Sequence, residues 1–136
     1  MGRRRSDAGH PRVARVGVTL LFTEKAAEVV GFYRAIGLRL EEESHDGGPS
    51  HWACDVRGFH FAVFGASRTN ARRRPVAHRG PGATMIGVYV DSLDAAVRAV
   101  RSRRARLLRG PEKRPWGRRI VVLDPDGRGV EITQAP

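Results

Sequence analysis

Residues 16–40 read VGVTLLFTEKAAEVVGFYRAIGLRL, and residues 84–108 read TMIGVYVDSLDAAVRAVRSRRARLL. In the first stretch Val16, Val18, Leu20 and Phe22 alternate, the period-two signature of a half-buried strand. Ala26, Ala27, Val30, Tyr33 and Ala35 then recur at helical spacing, and Gly37 stands where a helix stops. A short strand follows. The second stretch repeats this order: Ile86, Val88 and Val90 alternate, Asp91 or Ser92 can cap a helix start, and Ala95, Ala96, Ala99 and Val100 give that helix an apolar stripe. An offset of 68 superposes Leu20 on Val88, Phe22 on Val90, Val29 on Val97 and Leu40 on Leu108.

The repeat continues beyond these stretches. Residues 51–64 (HWACDVRGFHFAVF) and 120–133 (IVVLDPDGRGVEIT) are both strand–turn–strand units with D-x-x-G at the turn. Each half therefore reads strand, helix, strand, strand, strand. The expected fold is α+β: two βαβββ modules forming a curved mixed sheet around a ligand cavity, helices outside. The expected divisions are a basic arm at 1–12, module one at 13–64, a linker at 65–82 and module two at 83–136, all within one domain.

The 136-residue chain carries 25 Lys and Arg against 14 Asp and Glu, a formal net charge of +11. Residues 1–12 hold four Arg and one Asp, and residues 65–82 hold five Arg and no acid. Most of the excess thus falls in two segments rich in Gly, Pro and Arg, with little apolar periodicity. The single Cys54 excludes an intrachain disulfide framework and a Cys-rich zinc site; it reads as a small buried apolar residue. The longest apolar run, Val16–Phe22, is far short of the roughly 18 residues of a membrane span. No membrane partner is expected, and the expected location is the cytoplasm. Arg3–Arg5 and Arg72–Arg74 suit phosphate contact, but no aromatic-interleaved basic motif accompanies them, so nucleic acid is not the expected partner.

The duplicated order, with Phe32–Tyr33 late in the first helix, L-D-A-A-V at 93–97, P-W-G-R at 115–118 and D-P-D-G at 124–127, resembles the vicinal oxygen chelate superfamily. That group includes glyoxalase I, extradiol dioxygenases, fosfomycin-modifying enzymes and bleomycin-resistance proteins. The resemblance covers about residues 13–135. It implies two modules lining one cavity, often completed across a homodimer, and in the enzymes a divalent metal held by four strand positions. Here those positions fall on Gly17 (or Val18 if the register slips by one), Met85, Ala62 and Glu131. Gly, Ala and Val offer no side-chain donor, and a thioether suits hard metals poorly. The resemblance is therefore closest to the metal-free, antibiotic-binding branch related to bleomycin-resistance proteins, and no cofactor or metal is expected.

Strand alternation gives a first account of the cavity. If Val18, Leu20 and Phe22 pack on the helix, then Gly17, Thr19 and Leu21 face the cavity, with Met85, Gly87 and Tyr89 opposite. The last strands would contribute His60, Ala62 and Phe64, and Gly129, Glu131 and Thr133. Trp116 matches a Trp-Gly position used for ligand contact in bleomycin-resistance-like proteins, and Arg119 stands beside it. Trp52 shares a strand face with Cys54, either core or cavity. Ser50–His51 shows no evident carboxylate partner. The expected ligand-binding set is Trp52, His60, Phe64, Met85, Tyr89, Trp116, Arg119 and Glu131, with no catalytic residue. The expected function is sequestration of a flat aromatic natural product, giving antibiotic resistance; a neutral or weakly acidic polycycle suits Trp and Arg. The competing readings are a lyase, isomerase or oxygenase on the same scaffold, and a nucleic-acid binder.

Overall fold

The computed structural model describes residues 11–44, 47, 50–66 and 78–136. Ten elements follow one another: β1 (Val18–Thr23), α1 (Ala26–Ala35), β2 (Glu41–Glu43), β3 (His51–Val56), β4 (Phe59–Gly65), β5 (Ile86–Tyr89), α2 (Leu93–Ser102), β6 (Leu107–Arg114), β7 (Gly117–Leu123) and β8 (Gly129–Gln134). The strands form two four-stranded sheets, ordered β1-β4-β3-β2 and β5-β8-β7-β6. In each, the first strand runs parallel to the last and the other pairs are antiparallel. The two halves share one topology, so the fold is the α+β, two-module arrangement. The strands divide into two hydrogen-bonded sheets rather than one. The arm expected at 1–12 lies outside the described residues except for Pro11 and Arg12, and the linker expected at 65–82 does so at 67–77.

The helices form for local reasons and are kept by packing. Ser92 caps α2, its hydroxyl accepting from the Ala95 N–H at 3.1 Å. Leu93, Ala96, Val97 and Val100 are its buried face. In α1 the buried face is Val29, Val30, Phe32 and Tyr33; of the stripe read from spacing only Val30 and Tyr33 are buried, Ala26 and Ala35 being half-buried and Ala27 exposed. These residues join Phe61 and Val63 of β4 and Ile120, Val122, Val130 and Ile132 of β7 and β8 in one hydrophobic cluster. Both modules thus share a single core, with a helix against one face of each sheet.

The phase expected for β1 is inverted. Leu21 is buried in the core with α1, whereas Val18, Leu20 and Phe22 lie exposed on the face away from the helix. The repeat in the first strands is therefore offset by 67, which sets Phe22 on Tyr89 and Leu20 on Gly87. Two further boundaries moved. Leu40, read as strand, packs into the core, and pairing begins at Glu41. The short strand read at the end of residues 84–108 runs on as the long strand β6 (Leu107–Arg114), which takes two irregularities in its pairing with β7.

A polar clamp joins the modules. The Tyr33 hydroxyl of α1 donates to Asp124 Oδ2 at 2.7 Å. Asp124 Oδ1 accepts the backbone N–H groups of Asp126 and Arg128, and Arg128 Nη1 bonds Asp124 Oδ2 at 3.0 Å. Arg128 also donates to the Phe22 carbonyl at 2.7 Å. The carboxylate is thus satisfied by groups from both halves.

Burial, and then the neighbouring Asp124 charge, push the Tyr33 phenol well above its ordinary value. The folded state therefore keeps this proton after the unfolded chain has lost it. The stabilisation is fully present below about pH 10 and falls above it, by about 1.4 kcal/mol per pH unit. Urea melts between pH 9 and 11 should show that decline in the native protein and lose it in Tyr33→Phe; equal slopes in the two would refute the assignment.

Candidate functional site

The sheet faces turned away from the helices carry the chemistry. In a sheet, directly opposed residues share a face, so registers locate each side chain. On the first sheet one row runs Phe22–Phe64–His51–Glu43. Phe22 stacks on Phe64 with centroids 5.6 Å apart, and Phe64 stacks on His51 at 4.4 Å with the rings 12° from parallel. His51 is 5% exposed, and its Nε2 lies 3.0 Å from Glu43 Oε1. The next row is Leu20–Ala62–Ala53–Glu41, and beyond it His60 Nδ1 lies 3.1 Å from Asp55 Oδ1.

The second sheet repeats this plan with altered chemistry. Its corresponding row is Tyr89–Thr133–Arg119–Glu112. Arg119 thus occupies the place of His51, and Glu112 the place of Glu43: each module buries one nitrogen base against an edge-strand carboxylate. Arg119 is 9% exposed. Its Nε and Nη2 reach Glu112 Oε1 at 3.0 and 2.9 Å, and its Nη1 bonds Glu131 Oε2. The hydrogen bond to Glu131, joined by that to Glu112, raises the guanidinium above its ordinary range despite desolvation. Burial alone would raise the Glu112 carboxyl; the Arg119 hydrogen bond and the charges of Arg114, Arg119 and Arg109 outweigh it and hold the group below its ordinary value.

Trp116 stands at the tip of the two-residue turn between β6 and β7, 47% exposed, with the Arg119 guanidinium carbon 5.9 Å from its ring centroid. The turn depends on Gly117, whose φ is 135°; a Cβ there would collide with the Gln134 carbonyl. Close backbone approach thus fixes where the indole projects.

The expected site residues fall into four places. His60 and Phe64 lie on the uncovered face of the first sheet; Trp116, Arg119 and Glu131 lie on or beside that of the second. Met85 and Tyr89 line a cleft of ≈ 830 Å³ along the free edge of β5, together with Phe59, Arg57 and Leu38. Tyr89 is 71% exposed. Trp52 opposes the core residue Val63 and packs with Cys54 against the hydrophobic cluster, so it stands on the helix side, away from the other members. Sequence reading missed Phe22, hidden by the inverted phase, and the His51–Glu43 pair. Glu43 is the carboxylate partner for His51 that the neighbourhood of Ser50 lacked.

The metal positions of this architecture do not suit a metal in this chain. Ala62 opposes Leu20, and Glu131 opposes Gly87. Glu131 Oε2 is engaged by Arg119, and its Oε1 accepts from Thr133 at 3.4 Å. Among the described residues no cluster of three His, Cys, Asp or Glu side chains is positioned to hold an ion. Also among them, no helix is long and apolar enough to cross a membrane.

Two βαβββ modules with a helix over one face of each sheet, and the other faces bearing the polar and aromatic groups, define a class. The chain belongs to the Glyoxalase/Bleomycin resistance protein/Dioxygenase superfamily, which matches residues 15–132. An uncharacterised protein of Mycolicibacterium smegmatis is 29% identical over 116 residues, covering 85% of this chain and 89% of that protein. Among solved structures, TnmS3, an antibiotic-binding protein from Streptomyces sp. CB03234, superposes with a TM-score of 0.64 at 18% identity, covering 93% of this chain and all of that one. A glyoxylase/bleomycin resistance protein/dioxygenase domain from Frankia sp. EAN1pec gives 0.69 at 16% identity, covering 92% and 100%. At these identities the likeness is one of fold.

Proposed function

We propose that the protein is a non-enzymatic binder that sequesters a flat aromatic natural product, and so confers antibiotic resistance in the cytoplasm. The observation that carries this reading is the uncovered Phe22–Phe64–His51 stack, with Tyr89 at the equivalent position of the second sheet. Phe22, at the outer end of that stack, and Tyr89 are exposed, whereas His51 at its inner end is buried; apolar rings left open to water are costly in a lone chain and suited to receive another ring. A second copy of the chain, laid against these faces, completes the cavity. Trp116, held over Arg119, closes on the ligand from the hairpin tip, and Arg119 and Glu131 offer polar contacts. The superfamily and the antibiotic-binding TnmS3 with the same fold support the reading. The basic segments at 1–12 and 65–82 are incidental to binding.

The test is titration with a panel of polycyclic natural products, following tryptophan fluorescence. Trp116→Ala should weaken binding by roughly 30-fold or more, the loss expected of a buried aromatic anchor. Binding to no member of a broad panel would sink the proposal. Conversion of the ligand during titration would favour the lyase or isomerase reading instead. That alternative has one observation of its own: the buried His51, held by Glu43, has the support a general base needs.

A further inference from the structure

We propose that the groove between α1 and the C-terminal end of α2 binds a small multivalent oxyanion of the phosphate or pyrophosphate class. This site is separate from the uncovered sheet faces. The groove encloses ≈ 620 Å³, with Phe32, Leu123 and Pro125 on its lining and the arginines 103, 104 and 106 around it. None of these three has an ion-pair partner among the described residues. Two carboxylates also line it: Glu28 is exposed, and Asp124 is buried and bonded to Arg128 and Tyr33.

Two of the arginines are held there against local preference. Both helices end in the same motif. In α1 the Gly37 N–H donates to the Arg34 carbonyl and the Leu38 N–H to Tyr33. In α2 the Arg104 N–H donates to Arg101 and the Ala105 N–H to Val100. This ending requires a left-handed residue, normally glycine. Gly37 meets it with φ 114°, but its counterpart is Arg104, with φ 56°. The second concession is Gly31, inside α1, where glycine is unfavourable. A Cβ at that position would meet the Arg103 guanidinium, so the glycine leaves that flexible side chain room to lie against α1. A glycine is absent where the backbone wants one and present where it does not. Both choices put a guanidinium at the same groove.

Offsetting the partial charge at the α2 terminus needs one cation in the last turn, and Arg101 supplies it. Three further guanidiniums without carboxylate partners present a set of N–H donors matched to a multiply charged oxyanion.

Thermal melting of the full chain in pyrophosphate, against sodium chloride at equal ionic strength, tests this. Pyrophosphate should raise Tm by about 5–10 °C at a hundredfold excess over its Kd, inorganic phosphate should bind more weakly, and chloride should not reproduce the rise. Arg104→Gly should melt higher than the native protein without anion, because glycine accepts the left-handed backbone, yet lose pyrophosphate affinity at least tenfold. Trp116→Ala should leave the response intact whether or not an aromatic ligand binds elsewhere. The proposal is overturned if the rise tracks ionic strength alone or if Arg104→Gly keeps native affinity. It is also overturned if duplex DNA displaces pyrophosphate with the steep salt dependence of a polyanion surface.

Discussion

Asp124→Ala is expected to cost about 3–5 kcal/mol of stability and to lower Tm by roughly 10–15 °C. The side chain of Asp124 has no exposed surface. Its removal leaves the Arg128 guanidinium without its main partner, the Tyr33 hydroxyl without an acceptor, and two turn N–H groups unmet. Each is costly because water cannot easily replace the lost group. Asp124→Asn should fall between, since an amide oxygen still serves the turn. Tyr33→Phe should cost about 1–2 kcal/mol alone and much less in the Asp124→Ala background, which a double-mutant cycle would show. The control is Asp55→Ala. Asp55 opens the corresponding D-x-x-G motif of module one but lies within β3, where its exposed carboxylate bonds the half-exposed His60. If the two alanine variants melt alike, the module clamp does not exist.

The second large effect is expected at Arg119. Arg119→Leu removes one guanidinium and leaves Glu112 and Glu131 facing each other on a partly desolvated sheet. The loss near pH 7 should be about 2–3 kcal/mol, tempered by the partial exposure of both carboxylates. Its pH dependence is the diagnostic feature. Without the cation the two carboxylates repel each other on a partly desolvated sheet, a penalty that is full at neutral pH and is relieved as acidification neutralises them. In the native protein Glu112 is instead held below its ordinary value, so its contribution is present at neutral pH and fades on acidification. Urea melts at pH 4.5 and 7 should therefore show a gap between variant and native protein that narrows at the lower pH. Adding Glu131→Gln should recover much of the loss. A gap independent of pH would mean that Arg119 acts through packing alone.

How much of this was written in the sequence depends on the range of the interaction. Strand alternation, the Ser92 cap and the Gly37 stop are local, and each was legible. The phase of β1 was not. Val18, Leu20 and Phe22 form the more apolar set, and burial on the helix was the natural inference for them. The helix side of β1 instead carries Thr19, Leu21 and Thr23, and the more apolar set faces away from it beside His60, Ala62 and Phe64, so periodicity within the strand pointed to the wrong face. The error carried forward, since it hid Phe22 from the cavity set. Trp52 could be paired with Cys54 by alternation, but only its register against Val63 showed which face that was. The His51–Glu43 and Tyr33–Asp124 contacts join residues 8 and 91 positions apart. No pattern within a strand or helix encodes them. Glu43 lies within three successive acidic residues, Glu41–Glu43, and only cross-strand pairing gives it the His51 partner.

The outward phase of β1 has a colloidal consequence. Val18, Leu20, Phe22 and Tyr89 stand exposed on or beside two edge strands, and such edges invite stacking of any chain on any other. A formal charge of +11 on 136 residues works against that. Like-charged chains repel chiefly once they come within about a Debye length, roughly 8 Å in physiological salt, because beyond it their charges are screened. Inside that distance only an approach that buries the apolar faces together gains enough to hold. The charge thus disfavours indiscriminate stacking of these edges, and a second copy of the kind proposed above would have to bury enough apolar surface to outweigh it.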